Sequence, residues 1–307
     1  MAVAKGQQFT EAAPRQLYIG MAAVKVLAVN PSKKELEKLY GREIENEPNY
    51  VTEAEITMPD GSKKKYPAVR ITFICQIVPE KNNGIDAIIQ HTIFLQQRHR
   101  QGSQSGKYQI IDPYGRTAWA TREEIEAKQI PQYANGPAAI DEDYRVALQG
   151  EENLTQFIKN LLNIPNVQNY VNDTWVDNPK VSKEDCLVRL DSIKEYFKGN
   201  FKELEEIISY QPENIVKICL GVRTTDDGRT HQTTYDGMSF KNAVTTYAKL
   251  DADIQTRKAA GGLANSEFEI TDVHEYAVAP TDANALAAAA AANSPAAEEA
   301  PAEDPWA

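Results

Sequence analysis

The sequence predicts a mainly β protein with helices: an OB-type antiparallel barrel carrying a helical insertion and followed by a disordered acidic C-terminal tail. Three observations point there. Strand-like segments come in hairpins, not alternating with helices, which disfavours a βαβ layout. A block of helical segments at about 150–212 interrupts the strands, and an OB-type barrel tolerates such insertions. From 281 to 307 the chain turns to Ala, Pro and acids with almost no large apolar residue, a composition that cannot form a core.

The elements follow in order. Residues 1–14 are small and polar, a flexible arm. Leu17 to Asn30 is rich in Val, Ile and Leu with partial alternation, hence a strand, bent near Gly20. Ser32 with Glu35 has capping-box spacing, so a short helix runs from Lys33 to Tyr40 and stops at Gly41. Tyr50 to Thr57 alternates as a strand, and Pro59-Asp60-Gly61-Ser62 is a turn. Tyr66 to Val78 and Ala87 to Arg98 form a long hairpin about Asn82-Asn83-Gly84. Lys107 to Ile111 and Thr117 to Thr121 form a shorter one about Asp112-Pro113-Tyr114-Gly115. Arg122 to Gln129 is a short helix, and Ile130 to Asp143 is an irregular loop. Asn153 to Leu162, Cys186 to Phe197 and Phe201 to Ser209 have helical patterns, the second started by Ser182 and Asp185. Strands return at Asn214 to Val222 and His231 to Tyr235 about the turn Asp226-Asp227-Gly228-Arg229. Phe240 to Arg257 has helical period, and Phe268 to Ala277 is the last strand. One OB-fold domain therefore occupies 15–280, with the helical insertion at about 150–212.

Composition bounds the function. Of 307 residues, 42% are hydrophobic and 25% charged, as in a soluble globular protein. No apolar run approaches the ~20 residues that span a bilayer, so no membrane association is expected. Met1 to Phe9 lacks the apolar stretch of a secretory signal. Cys75, Cys186 and Cys219 are odd in number and far apart, which argues against both a disulfide framework and a zinc site. Gly102 to Tyr108 resembles a phosphate loop but is one residue short between its glycines, and Tyr108 stands where Ser or Thr is needed. His91, His99, His231 and His274 show no ligand spacing, and no nucleophile elbow is present. A binding protein without a cofactor or metal is expected, not an enzyme.

Charge is distributed unevenly. Between Gly61 and Arg122 stand ten Lys or Arg and three acids, a surplus of seven positive charges in a chain of net charge −11. Lys63, Lys64, Lys65 and Tyr66 open one strand. Arg70 lies within it. Arg98 and Arg100 close the next. Lys107, Tyr108, Tyr114, Arg116 and Trp119 follow. Cations beside flat rings suit an unpaired polynucleotide, because phosphates need positive charge and unstacked bases need platforms. Tyr66, Tyr108, Tyr114 and Trp119 are the expected platforms, whereas Phe73 and Phe94 are expected in the core. The acidic segment with Glu298, Glu299, Glu303, Asp304 and Trp306 is complementary to such a groove. A tail of this length reaches ~30 Å, enough to compete for the groove and to offer Trp306 to a partner.

Lys25 to Lys38, Tyr66 to Phe73 and Lys107 to Thr121 together resemble the single-stranded-DNA-binding proteins of large tailed bacteriophages, including the crAss-like group. The resemblance covers roughly Leu17 to Pro165. It implies an OB fold, sequence-tolerant binding of single-stranded DNA, and roles in replication, recombination and repair in the cytoplasm of an infected bacterium. Replication or recombination proteins would be partners of the tail. The competing expectation is a virion structural or protein-interaction subunit that binds no nucleic acid. Oligomeric state is left open by the residues.

Overall fold

A computed structural model describes residues 17–260, apart from 59, 83, 104, 130–139, 211–213, 225 and 227–229, together with the strand 273–276. The flexible arm expected at 1–14 and the tail expected at 281–307 lie outside these residues. So do most of the irregular loop expected after Gln129 and most of the Asp226 to Arg229 turn.

The first half of the described chain runs β1 (Leu17–Val29), α1 (Lys33–Tyr40), β2 (Val51–Thr57), β3 (Lys63–Ile77), β4 (Ile88–His99), β5 (Tyr108–Ile111), β6 (Thr117–Ala120), α2 (Arg122–Glu126), β7 (Arg145–Val146) and β8 (Leu148–Gln149). The second half runs α3 (Glu151–Leu161), β9 (Gln168–Val171), β10 (Thr174–Asp177), α4 (Ile193–Tyr196), α5 (Lys202–Tyr210), β11 (Ile215–Thr224), β12 (Thr230–Lys241), α6 (Ala248–Ala259) and β13 (Val273–Tyr276). The protein is thus mainly β with helices. Eight strands form one sheet in the order β12-β11-β1-β3-β4-β8, with β13 paired to β1 and β2 to β3. All its pairings are antiparallel. The sheet curls into a half-barrel, a shape compatible with an OB-like fold.

Alternation places the core. Val69, Ile71, Phe73, Cys75 and Ile77 of β3 point to the inner face and are fully buried, as are Ile93 and Leu95 of β4. The segment between β8 and β11 covers that face. Leu154, Phe157, Ile158 and Leu161 of α3 and Leu204 of α5 pack into the same cluster. The expected helical insertion is therefore part of the main core and not a separate lobe. On the outer face, Leu250 and Ile254 of α6 cover Leu17, Ile19 and Met21 of β1.

Local signals explain the ends of several elements. Ser32 and Glu35 make the reciprocal capping box at the start of α1, and Gly41 ends the helix in the left-handed region with φ 63°. Thr121 and Glu124 make a second box at α2. Between Val26 and Ala28 the β1–β3 register shifts, a bulge that curls the sheet.

Two helix expectations need correction. Cys186 to Phe197 is not one helix. Ser182 and Asp185 do bond reciprocally, but only a 3-10 turn follows at 184–186. Leu187 is extended, and the Val188 amide donates to the Pro113 carbonyl at 2.8 Å, which diverts the chain until α4. Phe240 also belongs to β12, because its segment pairs with β11, and α6 starts at Ala248. The hairpin β9–β10 was not expected from the sequence at all.

Candidate nucleic-acid interface

On the outer face of β3 and β4, Tyr66, Ala68, Thr72 and Ile74 are buried, and the face opens at Arg70, Gln90 and Phe94. The register of the two strands sets Arg70 opposite Phe94, Thr72 opposite Thr92, and Ala68 opposite Gln96. The two threonine hydroxyls lie 3.1 Å apart. Phe94 is 59% exposed, against 0% for Phe73. The core expectation therefore holds for Phe73 and fails for Phe94. The reason lies in the strand period: Ile89, His91, Ile93 and Leu95 take the inner positions of β4, so Phe94 must face out. That alternation was readable in the sequence, since four apolar or aromatic residues at every second position bracket Phe94.

Arginines lie along and beyond the same strands. Arg70 is exposed, and its guanidinium donates to the Asn49 carbonyl. Arg98 Nε donates to Gln96 Oε1 at 2.6 Å, and Arg100 Nη1 donates to Gln149 Oε1 at 3.1 Å. Arg42 sits over the Tyr40 ring at 5.8 Å, and the Tyr40 hydroxyl accepts from Gln90 on the same face of β4. An exposed ring with an arginine opposite it on the neighbouring strand can stack a base and hold its phosphate at once.

The other expected residues are placed differently. Tyr66, Tyr108 and Tyr114 are 6%, 2% and 8% exposed. As they stand, their faces cannot serve as platforms for a base. Tyr108 packs edge-on to His99, and Tyr114 packs with Val167 and Cys186. Burial, helped by the Asp141 and Asp112 carboxylates, pushes the Tyr114 hydroxyl above its usual range. Trp119 is half-buried beside the Gly102 loop.

Part of the basic window is answered by neighbouring acids. Lys63 pairs with Glu55 at 2.7 Å, and Lys65 with Glu53 at 3.3 Å, both across the β2–β3 ladder. Lys64 lies over the Tyr66 ring at 5.1 Å. Arg116 is used internally: its Nε meets Asp112 Oδ2 at 2.7 Å, Nη1 reaches Gln168 at 2.8 Å, and its Cζ lies 5.4 Å over Tyr114. Lys107 is half-buried and leads into β5. The structure thus gathers Arg70, Phe94, Arg98 and Arg100 along β3–β4. It sets Lys63, Lys64 and Lys65 at the far end of β3. It places Lys107, Tyr108, Tyr114, Arg116 and Trp119 in or beside the separate β6-β5-β7 sheet. Glu298, Glu299, Glu303, Asp304 and Trp306 lie outside the described residues.

Among the described residues, no group of three or more His, Cys, Asp or Glu is placed to hold a metal ion. The three cysteines are free and buried. Burial pushes the Cys219 thiol up to about 12 and raises Cys75 as well, so neither is a ready thiolate. Among the described residues, no helix is long and apolar enough to cross a membrane. Compared with known proteins, the chain matches no family model, no curated sequence and no solved structure.

Proposed function

We propose that this chain binds single-stranded DNA without sequence preference, on an OB-type barrel, in phage replication, recombination and repair within the infected cell. The observation that carries the reading is Phe94, a large ring on the outer face of a central strand, set opposite Arg70, with Arg98 near the end of β4 and Arg100 just beyond it. A soluble protein gains nothing in stability from a phenylalanine exposed there. A stacked base would cover it, at ~1–3 kcal/mol per base. In this reading the acidic segment with Glu298, Glu299, Glu303, Asp304 and Trp306 competes with DNA for that face and, once displaced, recruits replication or recombination partners.

The test is a titration of the full chain with fluorescent oligo-dT at two salt concentrations. Affinity should fall as salt rises. Phe94→Ala should weaken binding by roughly tenfold with little change in salt slope. Arg70→Ala should weaken binding and flatten the slope. Removing 281–307 should tighten binding at low salt. Binding that is absent, or that ignores both Phe94 and salt, would overturn the reading.

A second reading, a protein-interaction subunit, is favoured by one observation: Tyr170, Val171 and Val176 are 54%, 49% and 43% exposed on the β9–β10 hairpin. Stable wild-type folding with no affinity for oligo-dT at low salt would leave this reading in place of the first.

A further inference from the structure

The β9–β10 hairpin stands apart from both sheets. It closes through Asn172 and Asp173, both left-handed with φ 48° and 60°, the backbone of a two-residue hairpin turn. Tyr170 and Trp175 face each other across it with ring centroids 5.2 Å apart. Its base is tied to the body by Arg116, which donates to Gln168 at 2.8 Å, and is closed across the hairpin by Gln168 donating to Asp177 at 3.1 Å and the Asn178 amide donating to the Val167 carbonyl at 2.9 Å. Among the described residues, no third strand pairs with either edge. A lone two-stranded hairpin is marginal in water, and a third strand is the usual remedy.

The two edges differ. Natural edge strands protect themselves with charge, proline or a bulge. β10 ends on Asp177. β9, Gln168-Asn169-Tyr170-Val171, carries none of these devices, and its ladder to β10 is regular. In such a hairpin the pairs next to the turn are hydrogen-bonded and the following ones are not, so the amides and carbonyls of Tyr170 and Gln168 point outward.

We infer that two copies of this chain associate through β9, edge to edge and antiparallel, giving the four-stranded sheet β10-β9-β9-β10. The two-fold axis passes between the Asn169 residues of the two copies. Gln168 of each copy then pairs with Tyr170 of the other and exchanges main-chain hydrogen bonds with it. The pairing is self-complementary because no charge on β9 meets its own like. Asp173 at the turn goes to opposite ends of the joined sheet, and Asp177 stays on its outer edges. A joint through β10, about Val176, would instead place a charged Asp177 from each copy within the seam, directly opposite Trp175 of the other. The acids Asp173 and Asp177, with no Lys or Arg between Gln168 and Pro179, also disfavour a nucleic-acid backbone at this site.

Sedimentation velocity of the full chain over a hundredfold range of concentration tests the inference. The wild type should move from monomer to dimer. Asn169→Lys sets two ammonium groups face to face on the axis and should weaken association at least tenfold, with an unchanged thermal midpoint. Asn169→Asp should do the same by repulsion of carboxylates. Mixing the two variants should restore a dimer of one copy each. Thr174→Lys, on the other strand, should dimerise as the wild type does. A monomer at every concentration would overturn the proposal. So would a dimer indifferent to Asn169→Lys, which would place the joint elsewhere, or a mixture of the two variants that stays monomeric. None of these readouts involves DNA, so they are independent of the proposed single-strand binding.

Discussion

Gly150 meets the backbone of Phe94 so closely that a Cβ on the glycine would fall 1.9 Å from the Phe94 carbonyl oxygen. Gly150 is also the residue that turns the chain into α3, with φ 88°. The helix that supplies Leu154, Phe157 and Ile158 to the core therefore starts directly against the strand that presents Phe94. Gly150→Ala combines a left-handed penalty of ~1–2 kcal/mol with an overpacking penalty of ~1–3 kcal/mol. The variant should lose about 2–5 kcal/mol in urea unfolding. Because β4 must shift to admit the methyl group, oligo-dT affinity should fall in the fraction that remains folded.

His91 is fully buried on the inner face of β4, stacked on Phe157 at 4.7 Å and near Phe73 at 6.4 Å. Neither ring nitrogen has a hydrogen-bond partner among the described residues. Burial holds its pKa down, from 6.5 to about 4. A depressed folded pKa means the unfolded chain takes up the proton first. Stability is complete above 6.5 and is lost as pH falls from 6.5 toward 4. Between pH 7 and pH 5 the loss from this one group should be about 2 kcal/mol. His91→Leu should unfold at nearly the same urea concentration at both pH values, if the other groups titrate alike in the folded and unfolded chain. A wild type no less stable at pH 5 than at pH 7 would contradict this account.

The long elements were legible because their periods were clean. Apolar residues recur at every second position from Val69 to Ile77 in β3, and β4 alternates from Ile89 to Leu95 within twelve residues, so their existence and pairing follow from the residues alone. The Ser32 box predicted α1 to the residue. The hairpin β9–β10 escaped because its strands are only four residues long and its turn, Asn172-Asp173, lacks glycine. The site was harder to read than the fold, for two reasons. A linear count of charge sees Lys63 and Lys65 but not Glu53 and Glu55, which reach them across a ladder. Aromatic type does not tell which side of a strand a ring takes, so Tyr66 and Tyr108 looked like platforms while Phe94 looked like core. Alternation had to be applied strand by strand to separate them.

Arg116 separates a structural cation from a binding one. Its partner Asp112 has a fully buried side chain that also accepts from the amides of Tyr114 at 3.0 Å and of Arg116 at 2.9 Å. These bonds shape the turn between β5 and β6 and, through Gln168, the base of the β9–β10 hairpin. Arg116→Ala leaves that carboxylate without its counter-ion and should cost about 3 kcal/mol in urea unfolding. Affinity for oligo-dT, measured where the variant is still folded, should stay within twofold of the wild type. A large loss of affinity with no loss of stability would return Arg116 to the interface.

Glu53 and Glu55 offer the opposite test. Both are exposed, and the lysines they hold are 61% and 65% exposed themselves, so the pairs contribute little to stability. Replacing both acids with Gln should leave the thermal midpoint within a degree or two. Lys63 and Lys65 alternate with Lys64 along β3 and so stand on the face opposite Arg70 and Phe94. Freed of their acids, they should leave the salt slope for oligo-dT unchanged and affinity within about twofold. A slope steeper by about two phosphate contacts would extend the track around the end of β3 to Lys63 and Lys65.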